Sequence, residues 1–65
     1  MNPGDKMSSK ELADALRKLM VEKDLTYKEV AGAAARSIAT IQRARNGEKL
    51  SARTFMRIKA VVISF

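Results

Sequence analysis

The sequence has no cysteine and no histidine, and only one proline, three glycines and three aromatic residues in 65 positions. Without cysteine no disulfide can form. With histidine also missing there is no zinc-ligand spacing, no thiol nucleophile and no imidazole base. The glycines, Gly4, Gly32 and Gly47, make no phosphate loop. No apolar stretch approaches the roughly 18–20 residues of a membrane-spanning helix, and the N-terminus lacks the apolar core of a signal peptide. Catalysis would have to rest on carboxylates alone, and these fall at helix starts and on polar faces. The expectation is a soluble, intracellular protein that is not an enzyme, with no cofactor, no metal, no membrane partner and no small-molecule ligand.

Sixty-five residues make one small domain. Domains of this size usually lean on disulfides, a metal or self-association, so the missing residue types leave self-association or tight helix packing. What the chain does have is positive charge, thirteen Lys and Arg against seven Asp and Glu for a net +6. Net charge points to an anionic partner and says nothing of fold. Its distribution says more. Residues 1–35 carry six bases and six acids, whereas residues 36–65 carry seven bases (Arg36, Arg43, Arg45, Lys49, Arg53, Arg57, Lys59) against Glu48.

The start, MNPGDK, is polar and aperiodic with Pro and Gly, so it cannot offset the entropy of ordering. Residues 1–7 are expected as a disordered leader before a single domain at 8–65, with Met7 an alternative start. Ser8 and Glu11 have capping-box spacing, and Leu12, Ala15, Leu16, Leu19 and Met20 follow as an apolar stripe of helical period. This first helix should break at Asp24. Thr26 and Glu29 form a second capping box, opening a short helix to about Ala34 whose inner side holds Val30, Ala31 and Ala34. These small side chains suit a floor for another helix. Ser37 caps a third helix, from Ile38 to about Arg45, which packs through Ile41 and Ala44 and stops at Asn46-Gly47. Ser51 caps a fourth, with Phe55, Ile58 and Val62 on its inner side. The tail Val61–Phe65 has strand-like composition; it either finishes the fourth helix or adds a fifth element, and it either plugs the core or forms a dimer contact.

Two short helices joined by about three residues, the second with a polar outward stripe, make a helix-turn-helix at about 27–45. The stretch TYKEVAGAAARSIATIQRARNG carries Thr26, Glu29, Ala31, Ser37, Ile41, Asn46 and Gly47 without a gap. In this register it resembles the Cro/C1-type (Xre-like) helix-turn-helix family, most of all its short phage Cro-type repressors. Leu50 to Ile58 is similar to that family's segment after the motif, and the resemblance spans about Leu12 to Val62. It implies an all-α, compact four-helix, lambda-repressor-like DNA-binding domain.

The departures have physical consequences. Ala35 stands where most members have the turn glycine, and a left-handed non-glycine costs on the order of 1–2 kcal/mol. Arg36 replaces an apolar residue and is expected to face solvent or phosphate, since it cannot be buried unpaired. An Arg late in the first helix often pairs with a Glu ending the recognition helix; here the positions are Met20 and Arg45, which frees Arg45 for another role. Tyr27 takes the place of a Gln that touches the DNA backbone.

With Ile41 and Ala44 inward, Ile38, Ala39, Gln42 and Arg43 face outward as candidate base readers. Arg43 suits a guanine edge, Gln42 an adenine or a phosphate, and Ile38 and Ala39 a thymine methyl. Candidate phosphate contacts are Tyr27, Lys28, Arg36, Ser37, Thr40, Asn46, Lys49 and Arg53, aided by helix N-termini. Val62, Ile63 and Phe65 are the candidate dimer contacts. The expected function is a sequence-specific double-stranded DNA-binding transcriptional repressor acting as a homodimer on a palindromic operator, with half-sites roughly 34 Å apart. It would be cytoplasmic, in a bacterial or phage-infected host. The rival is an antitoxin-like or anti-repressor protein-interaction module that keeps the fold and binds through Ile38, Ala39 and the tail. A third reading, non-specific nucleic-acid binding, RNA included, is disfavoured by the thin aromatic content (Tyr27, Phe55, Phe65), because stacking platforms need several exposed rings.

Overall fold

In the computed structural model, which describes residues 7–65, four helices carry the chain: α1 (Ser9–Glu22), α2 (Tyr27–Ala34), α3 (Ile38–Arg45) and α4 (Ala52–Ser64). Residues 1–6 of the expected leader lie outside the described residues, while Met7 is half-buried against the core. Every helix starts by the same device. Ser8, Thr26, Ser37 and Ser51 are extended N-caps whose hydroxyl oxygens accept from the backbone N–H three residues on, meeting donors that the first turn leaves unpaired.

Three helices also end alike, with nested backbone bonds around one left-handed residue. After α1, Leu25 N–H reaches Met20 O at 2.9 Å around Asp24 (φ 51°). After α2, Arg36 N–H reaches Ala31 O at 3.0 Å around Ala35 (φ 55°), and after α3, Glu48 N–H reaches Arg43 O at 3.1 Å around Gly47 (φ 80°). The stop signal at Asn46-Gly47 thus resides in Gly47, since Asn46 keeps a right-handed φ of −83°. A Cβ on Gly47 would sit 3.9 Å from the Ala13 Cβ, an ordinary contact, so backbone angle and not space calls for glycine there. Ala35 adopts the left-handed conformation without being glycine and bears its steric cost.

The core is built from Leu12 and Leu16 of α1, Val30 of α2, Ile41 of α3 and Ile58 of α4, all fully buried. α1 and α2 each pack on α3 and α4, and α3 packs on α4, so α3 is held from three sides. Two expectations need correction. In α1 the buried face includes Ala13, while Ala15 is half-buried, because the Gly47 turn lies over Ala13 and shifts the covered face toward it. In α4, Val61 is buried beside Ile58, whereas Phe55 and Val62 are only half-buried against the core; small Ala34 of α2 leaves room for Val61 in the same cluster. The tail finishes α4, with Phe65 N–H bonded to Val61 O at 3.0 Å, and no strand occurs among the described residues. No helix of the described residues is long and apolar enough to cross a membrane.

Candidate functional site

The outward face of α3 follows from its inward one. Ile41 and Ala44 are buried, and a 3.6-residue turn then sends positions 38, 39, 42 and 43 to the other side. Ile38 (45% exposed), Ala39, Gln42 and Arg43 are all exposed. Gln42 and Arg43 make no side-chain hydrogen bond among the described residues, so both amide and guanidinium donors are available. The four candidate readers therefore share one face, apolar toward the start of α3 and polar toward its end.

The flanking candidates divide by how far they are already engaged. Lys28, Asn46, Lys49 and Arg53 are exposed. Ser37 caps α3, accepting from Thr40 N–H at 3.2 Å, and its hydroxyl meets that of Thr40 at 2.9 Å. Arg36 departs from the expectation of a solvent- or phosphate-facing side chain, since it is half-buried and spends two donors inside the protein. Its Nε donates to Thr54 Oγ1 at 3.0 Å and its Nη1 to Ala35 O at 2.9 Å. It therefore ties the turn before α3 to the first turn of α4, and a hydroxyl and a backbone carbonyl take the part that no carboxylate among the described residues is near enough to play. Tyr27 is half-buried, and its Oη accepts from Arg45 Nη1 at 2.8 Å.

Charge is left open on this side. The ion pair found among the described residues, Arg17 to Asp14 at 3.2 Å, lies within α1. None of the seven bases of residues 36–65 has a carboxylate within salt-bridge reach among the described residues. The first turns of α3 and α4 also carry no acidic residue, whereas those of α1 and α2 carry Glu11 and Glu29. The positive ends of α3 and α4 are thus uncompensated by side chains. Such an array can hold an anion, and the α3 face beside it can offer hydrogen bonds and apolar contact. No group of three or more Asp or Glu among the described residues is arranged to hold a metal ion.

Of the candidate dimer contacts, Val62 lies half-buried against the core, while Ile63 (71%) and Phe65 (47%) are exposed. Two engaged groups escaped the sequence reading. Thr54 receives Arg36, and its place three residues after the Ser51 cap was the available signal. The Arg45–Tyr27 pair joins two positions that each depart from the family pattern, and the shared departure was the clue. Comparison with family models, with curated proteins and with solved structures gives no match.

Proposed function

We propose that this chain is a sequence-specific double-stranded DNA-binding transcriptional regulator, a repressor of the phage Cro type, whose α3 enters the major groove. The observation that carries this reading is the exposed face Ile38, Ala39, Gln42 and Arg43 on a helix held from three sides, next to bases that have no carboxylate partner. A rigid helix presents side chains in fixed register, which base readout needs. The uncompensated positive charge supplies the sequence-independent part of the affinity. Lys28, Asn46, Lys49 and Arg53 meet backbone phosphates directly, Ser37 and Thr40 do so through the first turn of α3, and Arg36 braces that turn. Repression works by occupancy, with a homodimer formed through Ile63 and Phe65 on a palindromic operator.

The exposed Ile38, Ile63 and Phe65 favour a second reading, an antitoxin-like or anti-repressor module that uses the same fold to hold a protein. Selection of bound sequences from random duplex DNA at a stated salt concentration separates the two. Enrichment of a palindromic motif is the expected result. No enriched motif at any salt overturns sequence-specific recognition, and if no DNA is retained either, the interaction module is the better account.

A further inference from the structure

The chain has two asparagines, Asn2 and Asn46. Asn2 precedes Pro3, which has no backbone N–H. Asn46 precedes Gly47, whose missing side chain leaves its backbone nitrogen the least hindered of any residue. Asparagine amides are thermolabile, and in this dipeptide the route is internal: the Gly47 nitrogen attacks Asn46 Cγ and closes a five-membered ring. Asn46 is exposed, and its side chain makes no hydrogen bond among the described residues, so the amide carbon is open to attack.

The fold holds the reaction back at its first step. At ψ −2° the Gly47 nitrogen lies over the backbone nitrogen of Asn46 and away from its side chain. The Gly47 hydrogen is engaged as well, since Gly47 N–H donates to Ala44 O at 3.1 Å. Glu48 N–H then closes the turn on Arg43 O at 3.1 Å, and Asn46 N–H donates to Gln42 O at 3.0 Å. Ring closure therefore requires ψ to turn and the Gly47 bond to break, which means that the last turn of α3 must open. Helix ends open locally at a smaller cost than the whole domain.

We propose that Asn46 is a deamidation site gated by the last turn of α3, and that its conversion puts a carboxylate at the polar end of the α3 face. In the open turn the Gly47 nitrogen gives its proton to solvent and bonds to Cγ. The Cγ–NH2 bond breaks, and the nitrogen takes up a proton and leaves as ammonia. Water then opens the succinimide at either carbonyl, leaving aspartate, or isoaspartate with the β-carbon in the main chain. Solvent water is the only co-reactant, and nothing is oxidised or reduced. Either product adds a negative charge between Arg43 and Lys49, neither of which has a carboxylate partner among the described residues, and at the negative end of the α3 dipole. Isoaspartate also lengthens the backbone inside the turn and so breaks the register of the Glu48 to Arg43 bond. The effect on duplex affinity rests on the DNA-binding reading above, whereas the chemistry and its gate do not.

The test incubates the full chain at neutral pH, native and in denaturing urea, and follows Asn46 by peptide mass spectrometry. Conversion should be at least about tenfold slower in the native protein, because the turn is open only part of the time. It should rise with urea already below the unfolding midpoint. Glu48→Pro removes the donor that closes the turn and keeps Asn46 and Gly47, so it should speed conversion in the folded state. Equal rates in native and unfolded chains, or an unchanged rate in folded Glu48→Pro, overturn the gate. If Glu48→Pro does not fold, the urea series decides, and a rate that changes only at global unfolding overturns it. No conversion of Asn46 in the unfolded chain overturns the site.

A second arm reads the product and separates it from the DNA reading. Asn46→Asp should weaken operator and random duplex alike, by roughly tenfold, and lower the salt slope by about one. Unchanged affinity and slope in Asn46→Asp would overturn the effect on binding. A wild type that binds no duplex at any salt, with conversion gated as described, would remove the DNA reading and sustain the site.

Discussion

The four helices share a hydroxyl N-cap but complete their first turns in two chemically different ways. α1 and α2, in the charge-neutral half, open on capping boxes in which Glu11 and Glu29 reach back to the Ser8 and Thr26 backbone N–H at 2.8 and 2.9 Å. α3 and α4, in the basic half, have Thr40 and Thr54 at the same positions, and these meet the Ser37 and Ser51 hydroxyls at 2.9 and 3.0 Å. The cap hydroxyl accepts from the third residue each time, but only in α1 and α2 does the cap's own backbone N–H also gain a side-chain acceptor. The difference is a full negative charge at the positive end of the helix dipole, present in one half and missing in the other. Stability alone would favour glutamate in all four places. Its replacement by threonine in the half that carries the outward α3 face leaves those helix ends free to attract an outside anion.

The comparison holds only if both halves belong to one cooperative unit, and the largest effect tests this. Ile41 of α3 is fully buried among side chains of α1, α2 and α4, so Ile41→Ala should cost about 2–5 kcal/mol. That is a large part of the stability of a domain this small. Urea unfolding followed by circular dichroism and by Tyr27 fluorescence should give one shifted midpoint for both signals. Two separate transitions would mean that neutral and basic halves are independent units and that their cap chemistries need not be compared.

Next in size is the division of labour within the basic half. Arg43→Ala should lose about 1–3 kcal/mol of operator affinity and relax preference at one base position, while Lys49→Ala should weaken all sequences alike. Equal losses for Arg43→Ala on operator and on random duplex, measured by fluorescence anisotropy, would make Arg43 one more phosphate contact.

At the junction of the halves, Ala35 carries the left-handed strain at φ 55° with an exposed side chain that packs on little. Ala35→Gly relieves that strain and loses some unfolded-state advantage, for a net gain of about 0.5–1 kcal/mol. Thermal unfolding should show the rise while DNA affinity stays the same. A fall in affinity with the rise in stability would show that the strained turn sets the aim of α3.

How much was legible follows from the range of each interaction. The caps at Ser8, Thr26, Ser37 and Ser51 and the stops at Asp24 and Gly47 depend on three or four consecutive residues, and the sequence displays them. The outward face of α3 was legible for the same reason, because Ile41 and Ala44 leave one side for Gln42 and Arg43. The burial of Ala13 and of Val61 was not, since each depends on which neighbour lies across from it. Arg36 is half-buried where solvent or phosphate was expected, because its partners are the uncharged Thr54 hydroxyl 18 residues away and the neighbouring Ala35 carbonyl, neither of which the sequence marks as a match for a cation. Arg45 and Tyr27 are separated by the same interval; no periodicity links two such positions, and only the packing of α2 on α3 brings them together.

The smallest effect tests the cap comparison itself. The Ser8 backbone N–H and then the Ser8 hydroxyl side of the box favour the charged form of Glu11, holding its pKa below the ordinary 4.5. A carboxylate with a depressed pKa adds stability that is present above its unfolded value and lost as pH falls through the folded one. The α1 box should therefore weaken only below about pH 4.5, and Glu11→Gln should flatten that acid limb. The caps of α3 and α4 hold no carboxylate and contribute nothing to it. Thr40→Glu transplants the neutral half's device into the basic half. It should raise stability at pH 7 by about 0.5 kcal/mol and lower the salt slope of duplex binding by about one. Both signs are needed: a gain in stability with an unchanged salt slope would mean that the missing glutamate at α3 has nothing to do with an anion.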